Sequence, residues 1–217
     1  MKQLSKLTLG ILLFAAVSFA QNTKTQPLTV YTPPPPPADA FQQEVMANLT
    51  NPVGDSFVQL FNAGANGGTD ATGTIVAQVY VFDAVDEQVV ACCSCPLTPD
   101  QAATISGKNS LISNPLTPHI PAAITVKLVA TKGGNAATDQ RQKGAPGFSS
   151  GLRADRTTTH FYNGLAPFVT EVPFHYVTIA DSEYSKLVTT CSSIQTTGSG
   201  FGICGGCAAG ALDPTQP

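Results

Sequence analysis

Six cysteines in two separated clusters constrain this chain more than any other feature. They are Cys92, Cys93, Cys95, Cys191, Cys204 and Cys207. Neighbouring side chains of a strand point to opposite faces, so a bond between the first two would need strained local geometry. The economical arrangement is three disulfides, most of them between the two clusters, that staple the glycine-rich C-terminal segment onto the rest of the domain. Six cysteines allow many pairings, and the sequence does not choose among them.

The first 20 residues have the three parts of a secretory signal peptide. A basic start is followed by an apolar core and by small residues at the −3 and −1 positions (Ser18 and Ala20) of a cleavage site before Gln21. The apolar core is too short for a stable membrane span, and no later apolar run is long enough for one. We therefore expect a secreted or periplasmic protein after cleavage near Ala20, with no membrane span once the signal is removed.

Zinc binding and redox chemistry are the alternatives to covalent staples. The CCxC and CxxC spacings also suit a cysteine-rich zinc site, and Cys204-Gly-Gly-Cys207 has the spacing of a redox motif. The redox motif begins a helix after a strand, whereas this one lies in a glycine-rich tail after a predicted helix. In an oxidising compartment thiols pair with each other first, so the sequence favours disulfides.

Charge narrows the range of partners. Removal of Lys2 and Lys6 with the signal leaves nine basic residues against 14 acidic ones, and only three of the basic residues are arginines. A mildly acidic chain of this kind is poorly suited to nucleic acid or anionic membranes. We predict no nucleic-acid partner, no cofactor and no metal. The expected partner is an extracellular or envelope protein or a glycan.

Composition divides the chain into four parts. Residues 1–20 are the expected signal peptide. Residues 21–50 contain five consecutive prolines, Pro33–Pro37, which exclude helix and sheet and predict a mostly disordered linker. Residues 51–210 predict a single disulfide-stabilised β-sandwich domain, and residues 211–217 a disordered tail.

Alternating apolar residues predict strands in the domain. The predicted strands span 56–62, 74–83, 87–93, 123–131, 151–162 and 168–179. Both faces of the segment 74–83 are largely apolar, which predicts a central strand covered on both sides. Pro173 cannot donate to a ladder, so the last strand is expected at an edge or a bulge.

One C-terminal helix is predicted over 181–195, with Asp181 as its N-cap. Its apolar stripe at helical spacing consists of Tyr184, Leu187, Val188, Cys191 and Ile194. The predicted fold is an all-β, antiparallel β-sandwich with one C-terminal helix and a disulfide-pinned tail. An immunoglobulin-like sandwich is one arrangement that fits this pattern.

One motif and one pair of histidines are candidates for a catalytic site. GFSSG (147–151) matches a nucleophile elbow with Ser149 as nucleophile. It lacks the preceding strand and following helix that the elbow needs, so a flexible surface loop is predicted instead. His160 and His175 with nearby acids are the candidates for a metal or acid–base site. No residue is predicted to be catalytic.

An ordered set of short motifs runs through residues 56–207. The motifs YVFD, CCxC, SNPLT, LRA and GSGxGxC are here Tyr80–Asp83, Cys92–Cys95, Ser113–Thr117, Leu152–Ala154 and Gly198–Cys204. The set resembles a secreted bacterial protein family of acidobacterial type. The resemblance implies export and the cysteine framework, and it implies no activity.

The leading hypothesis is an exported cell-envelope or extracellular protein, a non-enzymatic binding or structural module that displays loops from a disulfide-clamped scaffold. Two long loops are predicted, 96–122 and 131–151. The second carries Lys132, Arg141 and Lys143, a local basic spot on an acidic protein, and is the expected contact loop. The alternative is a secreted hydrolase or carbohydrate-active module with a site near the two histidines named above.

Overall fold

The computed structural model describes residues 39–46, 55–160, 168–197, 199–205 and 207. The strands are β1 (Ala40–Met46), β2 (Ser56–Asn62), β3 (Ile75–Asp83), β4 (Val89–Leu97), β5 (Ala102–Ser106), β6 (Ala123–Thr131), β7 (Leu152–His160), β8 (Phe168–Pro173) and β9 (His175–Tyr176). The helices are α1 (Asp70–Gly73) and α2 (Asp181–Thr196), with a π-helical turn at Gly107–Leu111. The predicted signal peptide and C-terminal tail lie outside the described residues. Neither helix is long and apolar enough to cross a membrane.

The strands form two antiparallel sheets. Sheet A has the order β4-β3-β6-β1-β9, and sheet B has the order β5-β2-β7-β8. The inner faces of the two sheets share one hydrophobic core. The predicted antiparallel β-sandwich with one C-terminal helix and a disulfide-pinned tail is therefore confirmed.

The inner core follows from the two-residue period of the strands. Strand β3 contributes Ile75, Ala77, Val79 and Val81 to this core, and all four are fully buried. Strand β6 contributes the alternate residues Ile124, Val126 and Leu128, as its pattern predicts. Sheet B meets them with Val58, Leu60 and Ile105.

Helix α2 covers the outer face of sheet A and makes a third layer. All five residues of the predicted apolar stripe are buried: Tyr184, Leu187, Val188, Cys191 and Ile194. They pack on Tyr80 of β3, Cys92 of β4 and Val129 of β6. Strand β3 is thus central and covered on both sides, as predicted.

The predicted linker boundary at residue 50 is wrong, because β1 lies inside the segment 21–50. Strand β1 pairs with β6 on one side and β9 on the other, and Ala40 and Val45 are buried. Asp39 also accepts a hydrogen bond from Gly151 N at 2.8 Å. The segment AFQQEVM has only a weak strand pattern. Pairing with distant strands fixes it, and local sequence does not report such pairing.

The predicted loop 96–122 is also corrected. Strand β4 continues through Pro96 to Leu97. A proline, which has no N–H to donate, is tolerated here because β4 is an edge strand and pairs with only one strand of sheet A, β3. Strand β5 and the π-helical turn occupy 102–111. The remaining loop spans 112–122.

Two smaller boundaries differ from the prediction. The segment 168–179 forms two strands, β8 in sheet B and β9 in sheet A, and the buried Phe174 lies where the chain crosses between the sheets. Strand β8 is an edge strand, as Pro173 predicts. Ala180, not Asp181, is the N-cap of α2. Asp181 in the first turn still stabilises the positive end of the helix dipole.

Candidate functional site

Three disulfides join β4 to the C-terminal segment. The pairs are Cys92–Cys191, Cys93–Cys204 and Cys95–Cys207, with sequence separations of 99, 111 and 112 residues. All six cysteines are paired. The predicted bridging between the two clusters is confirmed, and three such bonds indicate an oxidising extracellular or periplasmic environment.

The alternation of β4 decides which layer each disulfide secures. Cys92 points to the outer face of sheet A and binds Cys191 on α2. Cys93 and Cys95 point into the core between the sheets and bind the tail. The covalent bonds therefore attach the helix through an outward-facing cysteine of β4 and the tail through two inward-facing ones.

The two cysteines of the CGGC motif bind different partners and not each other, so no redox C-x-x-C bond is present. The sulfur of Cys207 lies 3.7 Å from that of Cys93, which places the two tail bridges side by side. A zinc site would need thiolates, and every cysteine thiol is consumed by a disulfide.

Two segments cover the edge of β4. The tail lies along the strand, where Cys92 N donates to Gly202 O at 2.9 Å. The loop 112–122 follows it, with Leu116 N donating to Val90 O at 2.9 Å. The two segments also meet each other, since Gly202 N donates to Asn114 O at 2.7 Å. These bonds occupy backbone groups that an uncovered edge strand would expose.

Gly202 makes this contact possible. Its φ of +75° is unfavourable for residues with a side chain, and a Cβ there would lie 2.7 Å from Leu116 Cγ. The glycine-rich sequence of the tail thus permits close packing against the loop.

Exposed apolar side chains concentrate on the segments around this edge. Eight large apolar residues are exposed in the described part of the chain. Five of them lie in the β3–β4 turn, the loop 112–122 and the tail, namely Val85, Leu116, Ile120, Phe201 and Ile203. We call these five residues the β4-edge surface.

Three side chains of types that can bind a metal ion lie close together beside the β4-edge surface. Asp83 ends β3, Asp86 follows in the turn, and His119 extends from the loop 112–122. One ligand atom of each lies within 4.8 Å of the others. Asp83 Oδ2 and His119 Nε2 are 3.4 Å apart, with the aspartate side chain 3% exposed and the histidine side chain 62% exposed.

The other oxygen of Asp83 holds the turn. Asp83 Oδ1 accepts a hydrogen bond from Val85 N at 2.8 Å and a longer, weaker one from Asp86 N at 3.4 Å. The turn thereby fixes the orientation of the carboxylate and leaves Oδ2 facing the histidine. These residues could hold a divalent cation.

A cleft of about 500 Å³ lies between this turn and the start of α2. Its lining includes Phe82, Asp83, Glu87, Lys127, Glu183 and Lys186. Lys127 is only 8% exposed and forms an ion pair with Glu183. Its Nζ atom lies 5.8 Å from the centre of the Phe82 ring. The cleft is thus lined by charges of both signs, of which Lys127 and Glu183 neutralise each other.

The predicted contact loop 131–151 is tied to α2 by Arg141. Its guanidinium binds both oxygens of Asp139, donates to Asp181 O at 2.8 Å and to Ser185 Oγ at 2.6 Å, and lies 5.1 Å from the centre of the Tyr184 ring. Hydrogen bonds from Arg141 hold the pKa of Asp139 below its ordinary value. Arg141 is therefore occupied within the molecule.

The other two predicted contact residues of the loop 131–151, Lys132 and Lys143, are exposed to solvent. Their role as a contact surface stays a prediction.

Two tyrosines anchor the same loop from beneath. Tyr80 donates its hydroxyl to Ala136 O at 2.8 Å, and Tyr184 donates to Thr138 O at 3.2 Å. Burial raises the pKa of Tyr80, and it raises the pKa of Tyr184 to about 12. Both phenols thus stay protonated hydrogen-bond donors over the physiological range.

The structure does not bring His160 and His175 together. His160 lies on β7 of sheet B. Its Nε2 atom shares a hydrogen bond with Thr170 Oγ1 at 2.8 Å, and its ring stacks on Phe168. His175 is exposed on β9 of sheet A. His160 pairs with Phe168 at the first residue of β8, whereas His175 follows the last residue of β8, Pro173. The length of β8, roughly 17 Å, therefore separates the two histidines.

Ser149 does not occupy a nucleophile elbow. It is buried, accepts a hydrogen bond from Asn66 Nδ2 at 2.9 Å, and is followed by strand β7 rather than a helix. The GFSSG segment lacks the helix of an elbow, as its sequence context predicts. The prediction of a flexible surface loop is wrong at Ser149, because Ser149 is buried and its backbone pairs with Ala130 and Asp39.

Sequence reasoning missed the cluster of Asp83, Asp86 and His119. The first two end a strand and enter a turn, where acidic residues are common, and the third lies in a loop far along the chain. The motifs YVFD and SNPLT lie at or near these residues in the sequence, but nothing in the sequence indicates that the two motifs are close in space. The chain matches no family model, no curated protein and no solved structure.

Proposed function

We propose that this chain is an exported, non-enzymatic module that binds a protein partner of the envelope or the extracellular medium through the β4-edge surface. The observation that carries the proposal is the concentration of exposed apolar side chains on segments that disulfides and backbone hydrogen bonds hold in place. Exposed apolar patches of monomeric proteins commonly mark interaction sites.

Rigidity supports this function. A contact surface that is already ordered loses little conformational freedom when it binds, so more of the interaction energy appears as affinity. The bridges Cys93–Cys204 and Cys95–Cys207 follow the tail's contact with β4 and the loop at Gly202, and the bridge Cys92–Cys191 precedes it. The hydrolase alternative has less support, because the two histidines on which it depends lie in different sheets.

A matched pair of phenylalanines tests the surface. Phe201 in the tail and Phe168 on β8 have the same exposure, 53%. A photo-crosslinking amino acid at position 201 should capture a partner in cells, and the same group at position 168 should not. The purified partner should then bind Phe201→Ser at least tenfold more weakly than the wild type, with Phe168→Ser unchanged. Equal cross-linking from both positions, or equal affinity of both variants, would refute the proposed surface.

Export is the second part of the proposal. N-terminal sequencing of the protein recovered from the periplasm or medium should begin at Gln21 or within a residue or two of it. Recovery of an exported protein that retains Met1 would contradict a cleaved signal.

A further inference from the structure

We propose that Asp83, Asp86 and His119 form a binding site for a divalent transition-metal cation, with Zn²⁺ as the best match. The site would join the β3–β4 turn to the loop 112–122. It goes beyond the proposed partner binding and does not depend on it.

The distance between Asp83 and His119 is the first argument. At 3.4 Å, the Oδ2 and Nε2 atoms are too far apart for a good hydrogen bond, for which roughly 2.7–3.2 Å is usual. Zinc binds histidine nitrogen and carboxylate oxygen at 2.0–2.2 Å, and the edge of such a tetrahedron is about 3.3–3.5 Å. The two atoms therefore already have the separation of neighbouring zinc ligands.

The burial of Asp83 is the second and independent argument. Its side chain is 3% exposed, and within the described residues its only ion-pair partner is the largely exposed His119. Backbone hydrogen bonds stabilise Oδ1, but a buried carboxylate that has no permanently charged cation beside it still carries a cost. A metal ion at Oδ2 would compensate this charge.

Preorganisation is the third argument. Backbone donors of the turn hold Asp83 Oδ1, and Thr117 Oγ1 donates to His119 O at 2.7 Å, which restrains the loop at the histidine. Such outer contacts orient ligands in metal sites. Asp86 is exposed, and one of its carboxylate oxygens lies within 4.8 Å of the ligand atoms of Asp83 and His119.

The ligand set selects the metal class. One imidazole with two carboxylates suits zinc and related transition metals better than Ca²⁺ or Mg²⁺, which take oxygen ligands in larger numbers. Three protein ligands leave the fourth position of a tetrahedral site open. Since His119 and Asp86 are exposed, water would occupy it.

Calorimetric titration of the full mature protein with Zn²⁺ tests the site. The protein is first stripped with a chelator and shown to have no free thiol, so that cysteine cannot contribute. We expect one Zn²⁺ per chain and a melting temperature that rises with Zn²⁺. His119→Ala and Asp86→Asn, both at exposed positions, should weaken binding at least tenfold.

Two further variants make the test specific. Asp83→Asn keeps an oxygen for the turn and should also weaken Zn²⁺ binding at least tenfold. His175→Ala removes an exposed histidine of sheet A and should bind like the wild type. The absence of Zn²⁺ binding by the wild type, or an equal affinity in His119→Ala, would overturn the site. An equal loss in His175→Ala would likewise overturn it. None of these measurements involves the protein partner, so failure here leaves the β4-edge surface to be judged by its own test.

Discussion

The outer faces of the two sheets differ in what covers them. On sheet A, Tyr80 is fully buried and even Lys127 is only 8% exposed, because α2 lies over them. On sheet B, the outward residues Phe57, Gln59 and Phe61 of β2 are only partly buried. One face is an interior surface between layers, and the other borders solvent.

The difference shows how a short helix can be held on a sheet. Helix α2 has 16 residues and one narrow apolar stripe, followed by a glycine-rich tail that is a poor former of regular structure. A covalent bond from β4 to the middle of the helix compensates for this small contact area. The outer face of sheet B needs no such bond, since polar and aromatic side chains tolerate partial contact with water.

Complete reduction of the disulfides should have the largest effect on this arrangement. A first bond that closes a loop of about 100 residues contributes up to about 4–5 kcal/mol, and a second that closes a loop of about 15 residues adds roughly 3 kcal/mol. We expect the free energy of unfolding to fall by at least about 5 kcal/mol, measured by urea denaturation with and without reductant.

Hydrogen exchange of the reduced protein should separate the two regions. Amides of α2 and β4 should lose protection before those of β2 and β7, because the bridges hold only the former. Identical urea midpoints with and without reductant would show that noncovalent packing alone holds the helix.

Truncation of one side chain on each outer face compares the faces directly. Leu187→Ala removes a buried side chain between α2 and sheet A and should cost about 2–5 kcal/mol. Phe61→Ala on the open face of sheet B should cost about 1 kcal/mol, because its side chain already contacts solvent. Equal losses in chemical denaturation would mean that the two faces are covered alike.

Alkaline pH should weaken the covered face by a smaller amount. Burial raises the pKa of Tyr184 to about 12, above the value of about 10 in an unfolded chain. The folded state therefore holds this proton more tightly, so its stabilising effect is complete below pH 10 and is lost as the pH rises toward 12. Urea midpoints measured from pH 9 to 11.5 should decline less steeply in Tyr184→Phe. Parallel declines would contradict a buried, protonated phenol.

Features carried by local periodicity were predictable from the sequence. The bounds of β2 and β6 match the prediction, and the five-residue stripe of α2 is buried as expected. The double apolar pattern of β3 also predicted a covered outer face before the covering helix could be placed. These features depend on side-chain alternation, which the sequence displays directly.

Features set by distant contacts were not predictable. Lys127 has the pattern of a solvent-facing residue, and only the placement of Glu183 and Phe82 explains its burial. Strand β1 follows a proline run and is held by partners far along the chain. Asp83 and His119 approach each other for the same reason, through the pairing of β3 with its neighbours and the course of the loop 112–122.

The most direct test of the account is the pairing of Cys92 with Cys191, since this bond fixes the helix on sheet A. In Cys191→Ser the protein should contain one free thiol. Alkylation in denaturant without reductant, followed by tandem mass spectrometry, should place the label on Cys92, because Cys92 is buried in the native protein and the other four cysteines remain paired. A label on Cys93 or Cys95 would contradict the assigned layers, and six free thiols with bound zinc in the wild type would replace the covalent account with a metal site.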